Sequence, residues 1–251
     1  MSTTLPATKA YGAVATVDYG ADAGLGTQGI DQSHFTPPML NILQDLSPTV
    51  KDRTHNVKDI LNTGSGESYD GSIGVDIVPC AVDRYFTEWK PRGEGGGFLG
   101  RHDIGSPVVQ KALAESKEFG KLNTARGTLM ETFVIYGLHL AEDGDAEPVV
   151  IPFTSTKIKV YKKFVSRLMS LRVNGQKPPV FAHVFRFKTK SDKNAKGEFG
   201  NWDIQFAGGT AENSRLDPTS PLYAAARDFA IAATEGSVKT NDAGHTEDVP
   251  F

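Results

Sequence analysis

Val180-Phe181-Ala182-His183-Val184-Phe185-Arg186-Phe187-Lys188-Thr189-Lys190 is the run whose reading decides the fold. Side chains on a strand alternate between faces, which puts Phe181, His183, Phe185 and Phe187 on one side and Ala182, Val184, Arg186, Lys188 and Lys190 on the other. Asn201 to Phe206 repeats the pattern with Trp202, Ile204 and Phe206 on one face. The two runs are expected to pair as a hairpin around a loop over 191–200 that carries Lys193 and Lys196. One face of such a hairpin has to be buried, so most of its rings are expected in the core.

Directly upstream, 155–171 has helical periodicity. At 100° per residue, Ile158, Tyr161, Phe164, Val165, Leu168 and Leu171 share one face, and Lys159, Lys162, Lys163 and Arg167 share the other. From Lys157 to Lys196, twelve basic residues, Arg172 and Lys177 among them, stand against Asp192 alone. That is a net +11, which leaves −14 for the remainder of a chain whose total is −3. Charge separated in this way marks a surface for a polyanion. A basic hairpin beside a basic helix is expected to line a groove for a phosphate backbone.

Binding a single strand without regard to sequence also calls for aromatic faces on which bases can lie, worth about 1–3 kcal/mol per base. Trp202 is one candidate. Trp89 is another, next to Tyr85 and Phe86 and flanked by Arg84, Lys90 and Arg92. The loop from Pro91 to Arg101 contains a formal G-x-G-x-x-G between Gly95 and Gly100. As a dinucleotide fingerprint it is weak, because Arg84 to Lys90 is too charged for a buried parallel strand and the next helix begins late, at Ser106. A loop bordered by Arg92 and Arg101 that closes over a DNA strand explains it as well.

Elsewhere the signals are ordinary. Residues 1–33 are rich in Ala, Gly, Thr and Asp and are expected to be a flexible arm, 34–235 the binding core, and 236–251 a flexible acidic tail. Thr36-Pro37-Pro38, followed by Met39, Leu40, Ile42, Leu43 and Leu46, predicts a short helix stopping before Pro48. Gly74 to Pro79 and Asp83 to Trp89 read as two strands, Ser106 to Phe119 as a helix, and Thr132 to Leu140 and Val149 to Phe153 as core strands. Ser220-Pro221 opens a last helix, with Leu222, Ala225, Ala226, Phe229 and Ala233 as its apolar stripe and Gly236 as its stop. The class expected is α+β, a β-rich sheet or OB-like barrel core with a few flanking helices.

With 39% hydrophobic residues, 251 residues suffice for one large domain. A single cysteine, Cys80, excludes an internal disulfide framework and a cysteine-based zinc site, and is expected to be buried in a reducing compartment. No signal peptide and no apolar run of about 20 residues is found, so a soluble, intracellular protein is expected.

The chain ends Glu247-Asp248-Val249-Pro250-Phe251, behind Asn241-Asp242-Ala243-Gly244-His245-Thr246. A terminal Phe can insert into an apolar pocket on another protein while its carboxylate meets an Arg or Lys there. This ending resembles the acidic tails of bacterial and bacteriophage single-stranded DNA-binding proteins. The layout from the Leu-rich segment after Pro38, through the Gly-rich loop and Thr154-Ser155-Thr156-Lys157, to the Trp202 strand also resembles that of phage proteins. The resemblance implies an oligonucleotide-binding barrel and a homo-oligomer. It also implies a place in the cytoplasm of the infected bacterium and replication or recombination partners held by Asp242, Glu247, Asp248, Pro250 and Phe251. No cofactor is expected.

An enzyme is the competing class. Asp76 or Asp83 followed by Glu88-Trp89-Lys90 is loosely similar to the carboxylate and Glu-x-Lys arrangement of Mg²⁺-dependent nucleases. His102-Asp103 is more simply a loop pair than part of a catalytic triad. The absence of a P-loop argues against an ATP-driven recombinase, and a single-strand-binding transcription or recombination accessory protein is the third class.

Overall fold

The computed structural model describes residues 25–26, 36–91, 93, 95–116, 122–141, 144–195, 197–238 and 240. Two antiparallel sheets carry the fold. The smaller consists of β1 (Leu40–Ile42), β2 (Ile60–Asn62) and β3 (Ser68–Tyr69). The larger has seven strands: β4 (Val75–Trp89), β5 (Phe98–Asp103), β6 (Leu122–Asn123), β7 (Thr128–Leu140), β8 (Ala146–Thr154), β9 (Phe185–Asn194) and β10 (Gly197–Phe206). Its order is β10-β9-β4-β7-β6, with β5 also paired to β4 and β8 to β7. Between them come the helices α1 (Pro48–Lys51), α2 (Pro107–Glu115) and α3 (Ile158–Ser170), and α4 (Pro221–Thr234) follows the last strand. The protein is α+β as expected, but the larger sheet is open and does not close into the barrel that the tail's resemblance implied.

The hairpin forms as the alternation predicts, and its strands run on almost to each other, with Asn194 opposite Gly197. It starts later than the pattern suggests. Val180–Ala182 is a helical turn, and alternation becomes a strand only at Phe185, where pairing to Phe206 begins. Phe185, Phe187, Trp202 and Ile204 then face α3, whose Phe164 ring lies 5.0 Å from Phe185 and 6.0 Å from Phe187. Tyr161 packs 4.7 Å from Phe133 of β7, completing the core on that side. On the opposite face α4 sets Ala226 and Ala230 against Val78, Cys80 and Leu138. The Cys80 thiol is buried, and burial pushes its pKa up to about 12.

Two expectations are corrected. The helix predicted after Pro38 is strand β1, in which Leu40, Asn41 and Ile42 are all buried. Met39, just before it, bridges to Val150 of β8. A short run buried on both sides, Asn41 included, has no period by which to tell strand from helix; only the turn at Ser47-Pro48 becomes helical. The strands predicted at Gly74–Pro79 and Asp83–Trp89 are one, β4. Pro79, which lacks an N–H, sits at a bulge where the register to β7 shifts between Pro79 and Ala81. The extra residue reverses the alternation. Val75 and Ile77 pack in the core beneath α3, whereas Tyr85 packs with Val134 and Tyr136 on the other face.

The Ser-Pro starts of α2 and α4 behave as the sequence predicts. Ser106 caps α2 by accepting from the Val109 N–H, and Ser220 caps α4 by accepting from the Tyr223 N–H, each followed by Pro at the first helical position. Among the described residues no helix is long and apolar enough to cross a membrane.

Candidate nucleic-acid interface

Because α3 buries its apolar stripe against the hairpin, its lysines point away from it. Lys159, Lys162 and Lys163 are exposed, and Arg167 is half-buried, donating to the Ile204 carbonyl at 2.9 Å with its guanidinium 5.6 Å from the partly exposed Phe206 ring. Lys162 leans the other way, its ammonium 5.8 Å from the Phe133 ring, which the Arg84 guanidinium also approaches at 5.4 Å. At the hairpin tip Asp192 is held below the usual carboxylate range. Hydrogen bonds from the Asn201 amide and the Lys193 N–H are the main causes, and the charges of Lys190 and Lys159 add to them. Charges from the helix and the hairpin thus both act on one carboxylate.

The groove expected between helix and hairpin is not formed, since that junction is apolar core. Alternation along β9 puts Arg186, Lys188 and Lys190 on the face turned away from α3. What results is a basic band over α3 that reaches the tip at Lys193. Arg186 is not part of it: its Nε and a terminal nitrogen each donate to Asp76 at 2.7 Å. Lys157 is 5% exposed and takes no place on the surface. Arg172 is exposed but turned back onto the Met169 and Leu171 carbonyls. Lys196, Arg92 and the tail residues Asp242, Glu247, Asp248, Pro250 and Phe251 lie outside the described residues.

The stacking candidates are also relocated. Trp202 is 1% exposed and Trp89 4%, each enclosed by the core, so neither presents a face to a base. Trp89 donates from its indole to Thr87 at 2.9 Å and meets Phe98 edge-on. A ring has to be covered somewhere, and alternation cannot say that the covered face is this one.

At the far end of β4, Glu88 is fully buried and accepts from Thr124, from the Arg126 guanidinium and, at 3.0 Å, from the His102 ring. Burial alone would raise its pKa, but these hydrogen bonds and the Arg126 charge outweigh it and hold the carboxyl below the usual range. Arg101 bonds to Asp83 at 2.8 Å and to Thr240 at 2.9 Å, and lies 3.7 Å from the Tyr85 ring centre. The three carboxylates proposed for a nuclease thus have separate partners: Asp76 with Arg186, Asp83 with Arg101, and Glu88 with Thr124, His102 and Arg126. Among the described residues no three His, Cys, Asp or Glu side chains converge as metal ligands do.

Residues 7–239 match the family model described as Pam3 phage gp34-like protein, so this chain belongs to that family of phage proteins. Comparison with curated proteins finds no match, and comparison with solved structures finds none.

Proposed function

We propose that this phage protein binds single-stranded DNA without regard to sequence, protecting exposed strands during phage replication, recombination or repair in the host cytoplasm. The observation that carries the reading is the band of Lys159, Lys162 and Lys163 on the outer face of α3, continued at the hairpin tip by Lys193. A helix that spends one face on the core and carries Lys159, Lys162 and Lys163 on the other in an acidic chain concentrates positive potential on one surface. The C-terminal Asp-Val-Pro-Phe recruits replication or recombination proteins, and assembly into a homo-oligomer multiplies the contacted strand. The protein works as a binder and not as an enzyme.

Titrating salt against affinity for fluorescent oligo-dT, with duplex competitor and with or without Mg²⁺, tests this reading. Single-strand preference, an uncut oligonucleotide and a slope of about −0.7 per phosphate contacted are expected. Absence of binding at low salt would sink it, and cutting only with Mg²⁺ would replace it by the nuclease. Deleting Pro250-Phe251 is expected to leave DNA affinity intact and abolish partner recruitment; equal recruitment by the truncated protein would remove the role of the tail.

A further inference from the structure

A cleft of about 270 Å³ opens where β9 runs on past the start of β4. Segments 57–59, 70–72 and 189–191, remote in sequence, meet there. Thr189 ties them together, its N–H donating to the Gly71 carbonyl at 2.7 Å and its hydroxyl to the Lys58 carbonyl at 2.8 Å. The junction is tight enough to exclude any side chain at 71, where a Cβ would lie 2.0 Å from the Lys58 carbonyl oxygen. Lys58 is held in the left-handed region at φ 71°, a conformation that costs a non-glycine residue free energy and that concentrates at ligand clamps. From there its ammonium reaches Ser191 Oγ at 2.7 Å. An ammonium has three donors, and Ser191 takes one.

Lys190 lines the same cleft from β9, and among the described residues its ammonium has no hydrogen-bond or ion-pair partner. Two carboxylates line it as well. Asp59 accepts from the Asn56 N–H and side-chain amide, and Asp70 from the Ser72 N–H and hydroxyl, both at 2.7 Å. The bonds from Ser72 hold the Asp70 carboxyl below its ordinary range, so it stays anionic. Two ammoniums with two carboxylates do not suit a dense polyanion. They suit a ligand with one negative charge and N–H donors of its own, which describes a nucleotide within a strand.

We propose that this cleft seats one nucleotide of the bound strand, with Lys58 and Lys190 on its phosphodiester and Asp59 or Asp70 accepting from an N–H of its base. The inference rests on the single-strand reading and deepens it. The charges of Lys190 in the cleft and Lys159 on α3 both act on Asp192, which links the cleft to the basic band electrostatically.

Two probes separate a nucleotide from a bare phosphate: dCMP and inorganic phosphate, each titrated into ¹⁵N-labelled protein while the amides of 57–59, 70–72 and 189–191 are followed. Shifts with dCMP, and at least tenfold weaker binding of phosphate, are expected; equal binding of the two, or no shift with dCMP, overturns the seat. Lys58→Gly provides the second arm, since glycine suits the left-handed backbone and the ammonium is lost with its side chain. Affinity for oligo-dC is expected to fall about fivefold, with a salt slope shallower by about 0.7. Unchanged affinity and slope, in a variant that melts at or above the wild-type temperature, overturn the proposal. If the wild type binds no oligonucleotide while dCMP still shifts these amides, the single-strand reading fails and the nucleotide seat stands.

Discussion

The two ends of β4 handle charge in opposite ways. At its start Asp76 and Arg186 pair in the open, with 26% and 42% of their side chains exposed, and the neighbouring Lys188 and Lys190 turn outward. At its end Glu88 has no exposed surface and three partners, drawn from β5 and from the turn before β7. An exposed pair contributes at most about 1 kcal/mol, whereas unmatching a buried charge costs about 3–5 kcal/mol. The Glu88 end is therefore held by its charge, and the hairpin end is held by apolar packing that leaves its cations available.

The sharpest way to break this comparison is at Glu88. Glu88→Ala is expected to destabilise the protein by about 3 kcal/mol in chemical denaturation, because Thr124, His102 and Arg126 lose their common acceptor. A loss below about 1 kcal/mol would mean that this end is not pinned by charge. The converse variant, Lys159→Ala with Lys162→Ala and Lys163→Ala, removes only exposed charge and is expected to leave the melting midpoint nearly unchanged. Affinity for oligo-dT should fall roughly thirtyfold and the salt slope become shallower by about 2, three phosphates at 0.7 each. Wild-type affinity in that variant would move the interface away from α3.

The smallest expected effect is on pH dependence. Burial lowers the pKa of His139 and His183, so the unfolded chain binds protons more readily than the folded one. Stability is then fully present above the ordinary histidine range and falls as the pH drops through about 6.5. His139→Gln should flatten part of that decline in thermal melts between pH 7.5 and pH 5.5, as conditions chosen to bracket the range. Glu88, whose folded pKa is also depressed, contributes stability above the ordinary glutamate range that is lost as the pH falls through its lowered value. Melts of Glu88→Gln should lack this second, more acid decline.

Much of the site was legible where one face of an element is buried. The spacing of Tyr161, Phe164 and Leu168 places Lys159, Lys162 and Lys163 outside without any knowledge of what the helix packs on. Periodicity says less at the ends of an element. Lys157 sits in the turn just before α3, and the direction of that turn buries it. Nor does periodicity separate the two faces of the hairpin from the side of a groove: Arg186 looked like a contact, and Asp76, 110 residues away, binds it instead. Lys58 was missed because it stands alone in a turn-rich stretch, and only the return of β9 brings Lys190 and Ser191 to it. A lysine before Asp59 in a loop gives no local sign of such a meeting.

The sequence by itself determined the α+β class, the hairpin, the caps of α2 and α4 and the outward cations of α3, because each rests on residues within a few turns of one another. Tertiary structure alone decided that 40–42 is a strand, that the Pro79 bulge reverses the faces of β4, that Trp89 and Trp202 are core, and that Glu88 and Lys58 have their partners. Those outcomes depend on which surfaces meet across long stretches of chain, and burial, unlike local periodicity, is settled only when they do.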